Sequence, residues 1–161
     1  MRGRMRRIEG RAAMASRGKG LRGRFDALRL ARERGEVAGS VDPHELPRVA
    51  DLLSDGPASI AWRLEGIADA SGRLALRVAL KGAVTLVCQR CLADFAWPID
   101  QATEVLLARD EGELAALDAD SSVEVVLAQG PVDSLALVED ELVLALPFAP
   151  RHPDGECESA A

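Results

Sequence analysis

Hydrophobic and polar residues alternate along the middle of the chain, between residues 60 and 88. A period of two is typical of β-strands, because successive side chains of a strand point to opposite faces. Polar residues such as Arg63 and Lys81 separate the apolar ones, so one face of the predicted sheet is buried and the other faces solvent. Residues 69–72 predict the turn between two strands, and Gly82 predicts a bulge or bend. The apolar positions are Ile60, Trp62, Leu64, Leu74, Leu76, Val78, Leu80, Val84, Leu86 and Cys88.

The apolar positions change from even to odd numbers after the sequence CQRC at residues 88–91, which predicts another strand. Pro98 predicts an edge position or a kink in that strand, because proline cannot donate a ladder hydrogen bond. The acidic stretch at residues 109–121 predicts a solvated loop or a short surface helix, and residues 123–127 predict a brief strand. The residues on one side of the strand after CQRC are Phe95, Trp97, Ile99, Thr103, Val105 and Leu107.

Near the carboxyl end the apolar residues recur at the spacing of an α-helix. The pattern predicts a helix that begins at Asp133 or Ser134, either of which can cap it, and that runs to about Leu146. Pro147 ends the helix, because its ring cannot continue the hydrogen-bonding pattern. A turn of about 100° per residue gives this helix one stripe that faces the sheet. The residues of the stripe are Leu135, Val138, Leu142, Ala145 and Leu146.

Three consecutive acidic residues lie in the middle of the predicted helix. Glu139 is at the edge of the stripe, where a carboxylate needs a partner. We expect Glu139 to pair with an arginine of the sheet or to accept backbone hydrogen bonds. Asp140 and Glu141 are expected to project elsewhere. Glu139 is a poor candidate for an acid or base, because the sequence places no histidine, cysteine or second inward carboxylate beside it.

Together these elements predict an α+β fold, in which a twisted antiparallel sheet is packed by a C-terminal amphipathic helix and carries a CxxC knuckle. The length of 161 residues fits one domain. We assign residues 25–161 to this domain and residues 1–24 to a basic extension that we expect to be disordered. Residues 25–39 contain two glycines and are compatible with a short strand or a short helix. Residues 48–53 are compatible with one amphipathic helical turn.

Positive and negative charge are divided sharply between these two parts. The net charge is −6, but residues 1–24 hold nine basic residues and one acidic residue, and residues 25–161 hold 11 basic and 25 acidic residues. The acidic body is not expected to bind bare phosphate unaided. The extension is either an electrostatic contact for RNA or a tail without function, with Met5 or Met14 as the true start. The candidate RNA-binding residues are Arg2, Arg4, Arg6, Arg7 and Arg11.

The composition excludes several classes of protein. A hydrophobic content of 48% excludes wholesale disorder, and an aromatic content of 3% argues against a platform for base stacking. Three cysteines are too few, and an odd number, for the disulfide framework of a secreted domain. The longest apolar run, residues 142–149, is far shorter than the ~20 residues that span a bilayer. We therefore expect a cytoplasmic protein without a membrane segment. The common catalytic motifs are absent from the sequence, which argues against an enzyme.

The strongest chemical signal is the pair Cys88 and Cys91, because a two-residue spacer lets both thiolates reach one metal ion. His152 and Cys157 follow with a spacing found in the second half of finger-type sites. These four donors predict a structural Zn²⁺ site that holds the polar carboxyl tail and has no open position for a catalytic water. Two alternatives are a redox pair formed by Cys88 and Cys91, and three inert thiols beside an ordinary loop histidine.

The sequences VTLVCQRCLADF at residues 84–95 and LVEDELVLALPFAPRH at residues 137–152, followed by Cys157, resemble the YceD family. These are the large ribosomal RNA subunit accumulation proteins of bacteria and plastids. A looser likeness begins near residue 25, and residues 1–24 fall outside it. The resemblance implies a non-enzymatic role in the synthesis, processing or stability of large-subunit (23S) ribosomal RNA.

By the same resemblance, the four potential metal ligands of the family correspond to Cys88, Cys91, His152 and Cys157. The acidic helix of the family corresponds to Glu139, Asp140 and Glu141. By analogy, we expect these residues to contact a ribosomal protein or a ribosomal precursor. Ribosomal RNA is a further possible partner. The rival readings are a cytosolic zinc- or thiol-dependent enzyme and a binding module for a basic, non-ribosomal protein.

Overall fold

Five strands form the main sheet in the computed structural model, which describes residues 23–157. Their order is β2-β3-β4-β5-β6, and the first three pairings are antiparallel. β6 runs parallel to β5, and helix α3 (Glu111–Asp118) lies in the crossover that a parallel pair requires. The predicted α+β fold is confirmed, with one parallel edge. The strands are β2 (Glu36–Val41), β3 (Ser59–Ala68), β4 (Leu74–Val87), β5 (Asp94–Ala108) and β6 (Glu124–Leu127).

The alternation of side chains separates the two faces of the sheet as the sequence predicts. Ile60 and Leu64 of β3 are fully buried, whereas Arg63 between them is exposed. Gly82 does not mark a bulge, because the pairing of β4 with both neighbouring strands continues through it. Its φ is +155°, and a Cβ atom there would overlap the carbonyl oxygen of Ser59. Glycine therefore allows β3 and β4 to approach closely at this point.

The edge position predicted by Pro98 is confirmed. Pro98 pairs with Ala83 of β4 on one side of β5. On the other side, β6 pairs only with the last part of β5, from Val105 to Ala108. Pro98 therefore lies outside the part of β5 that β6 covers, where β5 is an edge strand.

The amino-terminal part of the described chain contains both a short strand and a short helix, which the sequence leaves as alternatives. Residues 25–39 contain the end of a strand, a short helix and most of another strand. The Asp26 side chain caps α1 by accepting a hydrogen bond from the Arg29 amide at 2.9 Å. α1 lies against β3 where Gly66 has no Cβ to overlap the Leu30 carbonyl. The remaining elements are β1 (Arg24–Phe25), α1 (Ala27–Arg32), a 3₁₀-helix (Pro43–Glu45), α2 (Pro47–Ala50) and β7 (Val132–Asp133), which pairs with β1.

The C-terminal helix α4 spans Ser134–Ala145 and begins and ends close to the predicted positions. The Asp133 side chain accepts hydrogen bonds from the amides of Leu135 and Ala136, at 2.9 and 3.2 Å. Val138 and Leu142 are fully buried against the sheet. No helix among residues 23–157 combines the length and the apolar character needed to cross a membrane.

The prediction that Glu141 projects away from the sheet is wrong. Glu141 is only 4% exposed, because the buried face of α4 includes Leu137 and Glu141 as well as Val138 and Leu142. Burial is the main reason that the pKa of Glu141 rises to about 7, and the nearby carboxylate of Glu124 raises it further. A hydrogen bond with Thr103 of β5 acts in the opposite direction.

We expect Glu141→Gln to stabilise the protein in alkaline solution. The pKa of Glu141 is about 7 in the folded protein and 4.5 ordinarily, so the folded state holds the proton more tightly. Its contribution to stability is therefore complete below 4.5 and is lost as the pH rises through about 7. The amide cannot ionise, so the variant should exceed the parent by roughly 3 kcal/mol at about pH 8.5 and match it at about pH 4.5.

Urea unfolding at both pH values measures this difference, with Glu111→Gln on the exposed surface of α3 as the matched control. The parent also contains His44, whose pKa is raised by hydrogen bonds to the Ser54 carbonyl and to Asp42. Comparison of each variant with the parent cancels the His44 contribution. An equal pH dependence in the parent and in Glu141→Gln would contradict the burial of a titrating carboxylate in α4.

Candidate metal centre

The connection between β4 and β5 is a tight turn that carries the first two predicted ligands. The Cys88 amide donates to the Ala93 carbonyl and the Leu92 amide donates to the Cys88 carbonyl, both at 2.9 Å. Leu92 completes the turn in the left-handed region, with a φ of +61°. The Arg90 amide donates to Cys88 Sγ at 3.4 Å. The turn, which we call the knuckle (residues 88–93), therefore holds the Cys88 sulfur through the backbone.

The carboxyl tail returns to the knuckle after α4. Pro150 carbonyl oxygen accepts a hydrogen bond from the Gln89 amide at 2.8 Å, which ties the tail to the knuckle directly. The ring of His152 packs against Phe95 of β5, with centroids 4.6 Å apart. One backbone hydrogen bond therefore joins the tail to the knuckle, and one ring contact joins it to the start of β5. Phe95 was predicted only as a sheet residue, and nothing in the local pattern indicated its contact with a histidine 57 positions later.

The structure brings together the four residues that the sequence predicts as ligands. The donor atoms of Cys88, Cys91, His152 and Cys157 all lie within 4.8 Å of one another. Cys88 Sγ lies 3.6 Å from Cys157 Sγ, and His152 Nδ1 lies 3.4 Å from Cys91 Sγ and 3.6 Å from Cys157 Sγ. Zinc ligands at about 2.3 Å (sulfur) and about 2.0 Å (nitrogen) in a tetrahedron are separated by ~3.8 Å and ~3.5 Å. These three separations are close to that geometry, so the cluster is compatible with a metal ion.

The electrostatics of the knuckle favour a thiolate at Cys88. Burial is the largest influence and raises the pKa of Cys88, but hydrogen bonds from the backbone amides of Cys91, His152 and Arg90 together lower it to about 5. At Cys91, a hydrogen bond from the Ala93 amide lowers the pKa, yet burial and the neighbouring sulfurs produce a net rise. Three sulfurs crowded around one point repel one another as thiolates, and a cation at that point removes the repulsion.

The arrangement suits a structural ion better than a catalytic one. Three sulfurs and one imidazole nitrogen complete a tetrahedral set, and a catalytic zinc site needs an open position for water or substrate. Arg90 hydrogen bonds with Cys157, and this contact is the main cause of the raised pKa of Arg90. Such an outer contact orients a ligand and offsets the excess negative charge of three thiolates.

The predicted partner-binding residues of α4 are largely engaged within the chain. Glu139 Oε1 accepts a hydrogen bond from the Arg48 amide at 2.7 Å, and both Glu139 and Asp140 form ion pairs with the Arg48 guanidinium. Glu139 therefore finds the expected kind of partner, but Arg48 belongs to α2 and not to the sheet. Arg48 lies 91 positions before Glu139, so no local pattern could reveal the pairing.

Only Asp140 of the three acidic residues offers a well-exposed carboxylate, with a side chain that is 53% exposed. The Glu139 side chain is 12% exposed, and Glu141 is buried. The predicted RNA-binding residues Arg2, Arg4, Arg6, Arg7 and Arg11 lie outside the described residues.

Comparisons with known proteins agree with the resemblance seen in the sequence. A family model described as "Large ribosomal RNA subunit accumulation protein YceD" matches residues 76–161, which include all four candidate ligands. The chain is 26% identical over 142 residues to a protein of Haemophilus influenzae with the same name, and the match covers 84% of this chain and 78% of that protein. No solved structure matches the chain.

Proposed function

The chain belongs to the YceD family, whose name points to a role in large-subunit ribosomal RNA accumulation, and we propose that it acts in that role without catalysing a reaction. The match of residues 76–161 to the family carries this proposal. The step promoted would be synthesis, processing or stability of the 23S RNA, in the cytoplasm and in contact with ribosomal precursors.

The convergence of four donors supports a structural Zn²⁺ ion in this function. Three thiolates with one imidazole form a donor set typical of zinc, and four protein ligands would fill a tetrahedral shell without a position for a reacting water. The ion would hold the carboxyl tail on the knuckle, so that residues 147–157 present a fixed surface. Such a surface would bind a partner and would not catalyse a reaction.

The charge of the described chain supports a basic protein partner. Residues 23–157 hold 12 basic and 24 acidic residues, which attracts surfaces rich in arginine and lysine. Ribosomal proteins carry such surfaces because they bind RNA. Asp140 is the residue of α4 best placed for this contact, since Glu139 and Glu141 are mostly covered.

Deletion of the gene tests the proposed function. We expect the deletion to lower the ratio of large-subunit to small-subunit ribosomal RNA, and the full-length protein to restore it. In low-salt gradients the protein should sediment with large-subunit precursors. An unchanged ribosomal RNA ratio in the deletion strain, together with a protein that stays at the top of the gradient, would refute the proposal.

A further inference from the structure

Three arginines line two adjoining hollows, which lie between α1, the β3–β4 turn and the end of β5. The first hollow, of about 280 Å³, is lined by Arg32 of α1, Arg73 of the β3–β4 turn and Arg109 after β5. The second, of about 350 Å³, is also lined by Arg32 and Arg109 and extends to residues 128–131. We call the two hollows together the arginine cleft. Their volumes fall near the lower end of the range of small-ligand sites.

The guanidinium groups of the arginine cleft are available to an anion. Arg32 is exposed and forms no ion pair with any residue from 23 to 157. Arg73 pairs with Asp69 at 2.7 Å, and Arg109 pairs with Glu113 at 3.1 Å. In both pairs the guanidinium is well exposed, at 45% and 67%, although the carboxylates are more covered, at 15% and 30%. A phosphate can therefore reach either guanidinium from solvent.

The walls of the arginine cleft combine charge with apolar surface. Leu28, Leu106 and Leu117 line the first hollow beneath the guanidinium groups. A nucleotide offers the same combination, because its phosphate is charged and the faces of its base are apolar. Guanidinium groups bind phosphates through two parallel hydrogen bonds and also stack on bases. Stacking on arginine is consistent with the low aromatic content of the chain.

The basic extension joins the fold at the same place. Arg24 is the last of its nine basic residues, and Asp26, two positions later, lines the second hollow. β1 pairs with β7 directly after Gly130 and Pro131, which line the hollow as well. The described segment that follows the nine basic residues therefore enters the fold beside the arginine cleft.

We infer that the arginine cleft binds the phosphate groups of single-stranded RNA, with Arg32 and Arg109 as the principal contacts. The inference rests on the proposed function for the identity of that RNA as ribosomal. It differs from the expectation that the acidic body does not bind bare phosphate unaided, because three arginines line this part of the body.

The test measures the anisotropy of a labelled single-stranded RNA of about 12 nucleotides, titrated with the full-length chain at low and at moderate salt. We expect Arg32→Glu and Arg109→Glu each to weaken binding by about tenfold and to reduce the salt dependence by about one counterion. The matched control is Arg63→Glu, on the solvent face of β3, where the side chain is 59% exposed and pairs with Glu36. The control should change binding by less than about threefold. Thermal unfolding of each variant verifies the fold.

Three results of the RNA titrations would overturn the inference: no RNA binding by the full chain, equal weakening by the control, or RNA binding that neither cleft substitution changes. The last result would assign RNA contact to residues 1–24 alone. Each leaves the proposed function intact, because that function is refuted only when deletion leaves the ribosomal RNA ratio unchanged and the protein stays at the top of the gradient. Displacement of the RNA by inorganic phosphate at equal ionic strength would indicate a site for a free anion and would also overturn the inference.

Discussion

Replacement of Cys88 by serine is expected to abolish metal binding and to lower the free energy of unfolding by at least about 3 kcal/mol. Cys88 is fully buried, and three backbone amides hold its sulfur in the form that binds a metal ion. A serine hydroxyl does not ionise at neutral pH and leaves three donors of the four. The sheet has its own apolar core, so we expect the variant to keep the sheet and to release the tail from the knuckle.

Metal analysis and urea unfolding, with and without a chelator, measure this effect. The chelator serves as the control, because the parent stripped of metal should become about as unstable as Cys88→Ser, and the variant should not change further. Retention of one equivalent of zinc by Cys88→Ser would contradict the four-ligand site. A parent whose unfolding is insensitive to the chelator would contradict the structural role of the ion.

Leu142→Ala is expected to lower the free energy of unfolding by about 3 kcal/mol, within the usual range for a buried leucine. Leu142 is fully buried, on the face of α4 that packs against the sheet. Truncation removes apolar contacts and leaves a cavity, because α4 is fixed at one end by the Asp133 cap. Equilibrium unfolding in urea at neutral pH gives the difference.

Leu144 provides the matched control on the same helix. Its side chain is 66% exposed, so Leu144→Ala should change the free energy of unfolding by less than about 0.5 kcal/mol. Equal losses from the two substitutions would show that α4 does not present the buried face described here. A small loss from Leu142→Ala alone would show that α4 contributes little to the core.

The central strands and the site were predictable because their signals are local. Alternation of apolar residues depends only on the two-residue repeat of a strand, and it located β3, β4 and β5. A two-residue spacer between Cys88 and Cys91 lets both sulfurs reach one metal ion in any turn. His152 and Cys157 could be predicted as the other two ligands because their own spacing is that of the second half of a finger-type site.

The failures concern contacts between residues far apart in the chain. Helical periodicity placed Val138 and Leu142 on the buried face but could not show that Glu141 shares it, because a carboxylate is usually assigned to solvent. The pairing of Glu139 with Arg48 depends on where α2 lies, and residues 25–59 gave no clear pattern. The parallel direction of β6 depends on the path of α3, which periodicity does not specify. The arginine cleft was missed for the same reason, since Arg32, Arg73 and Arg109 come from three separate elements.

X-ray absorption spectroscopy of the purified full-length chain at the zinc edge measures whether the four donors hold one metal ion. We expect one zinc ion per chain, surrounded by three sulfurs at about 2.3 Å and one nitrogen at about 2.0 Å, which requires both the knuckle and the tail. A chain without bound metal, or an ion with only two sulfur ligands and oxygen in the remaining positions, would contradict this expectation.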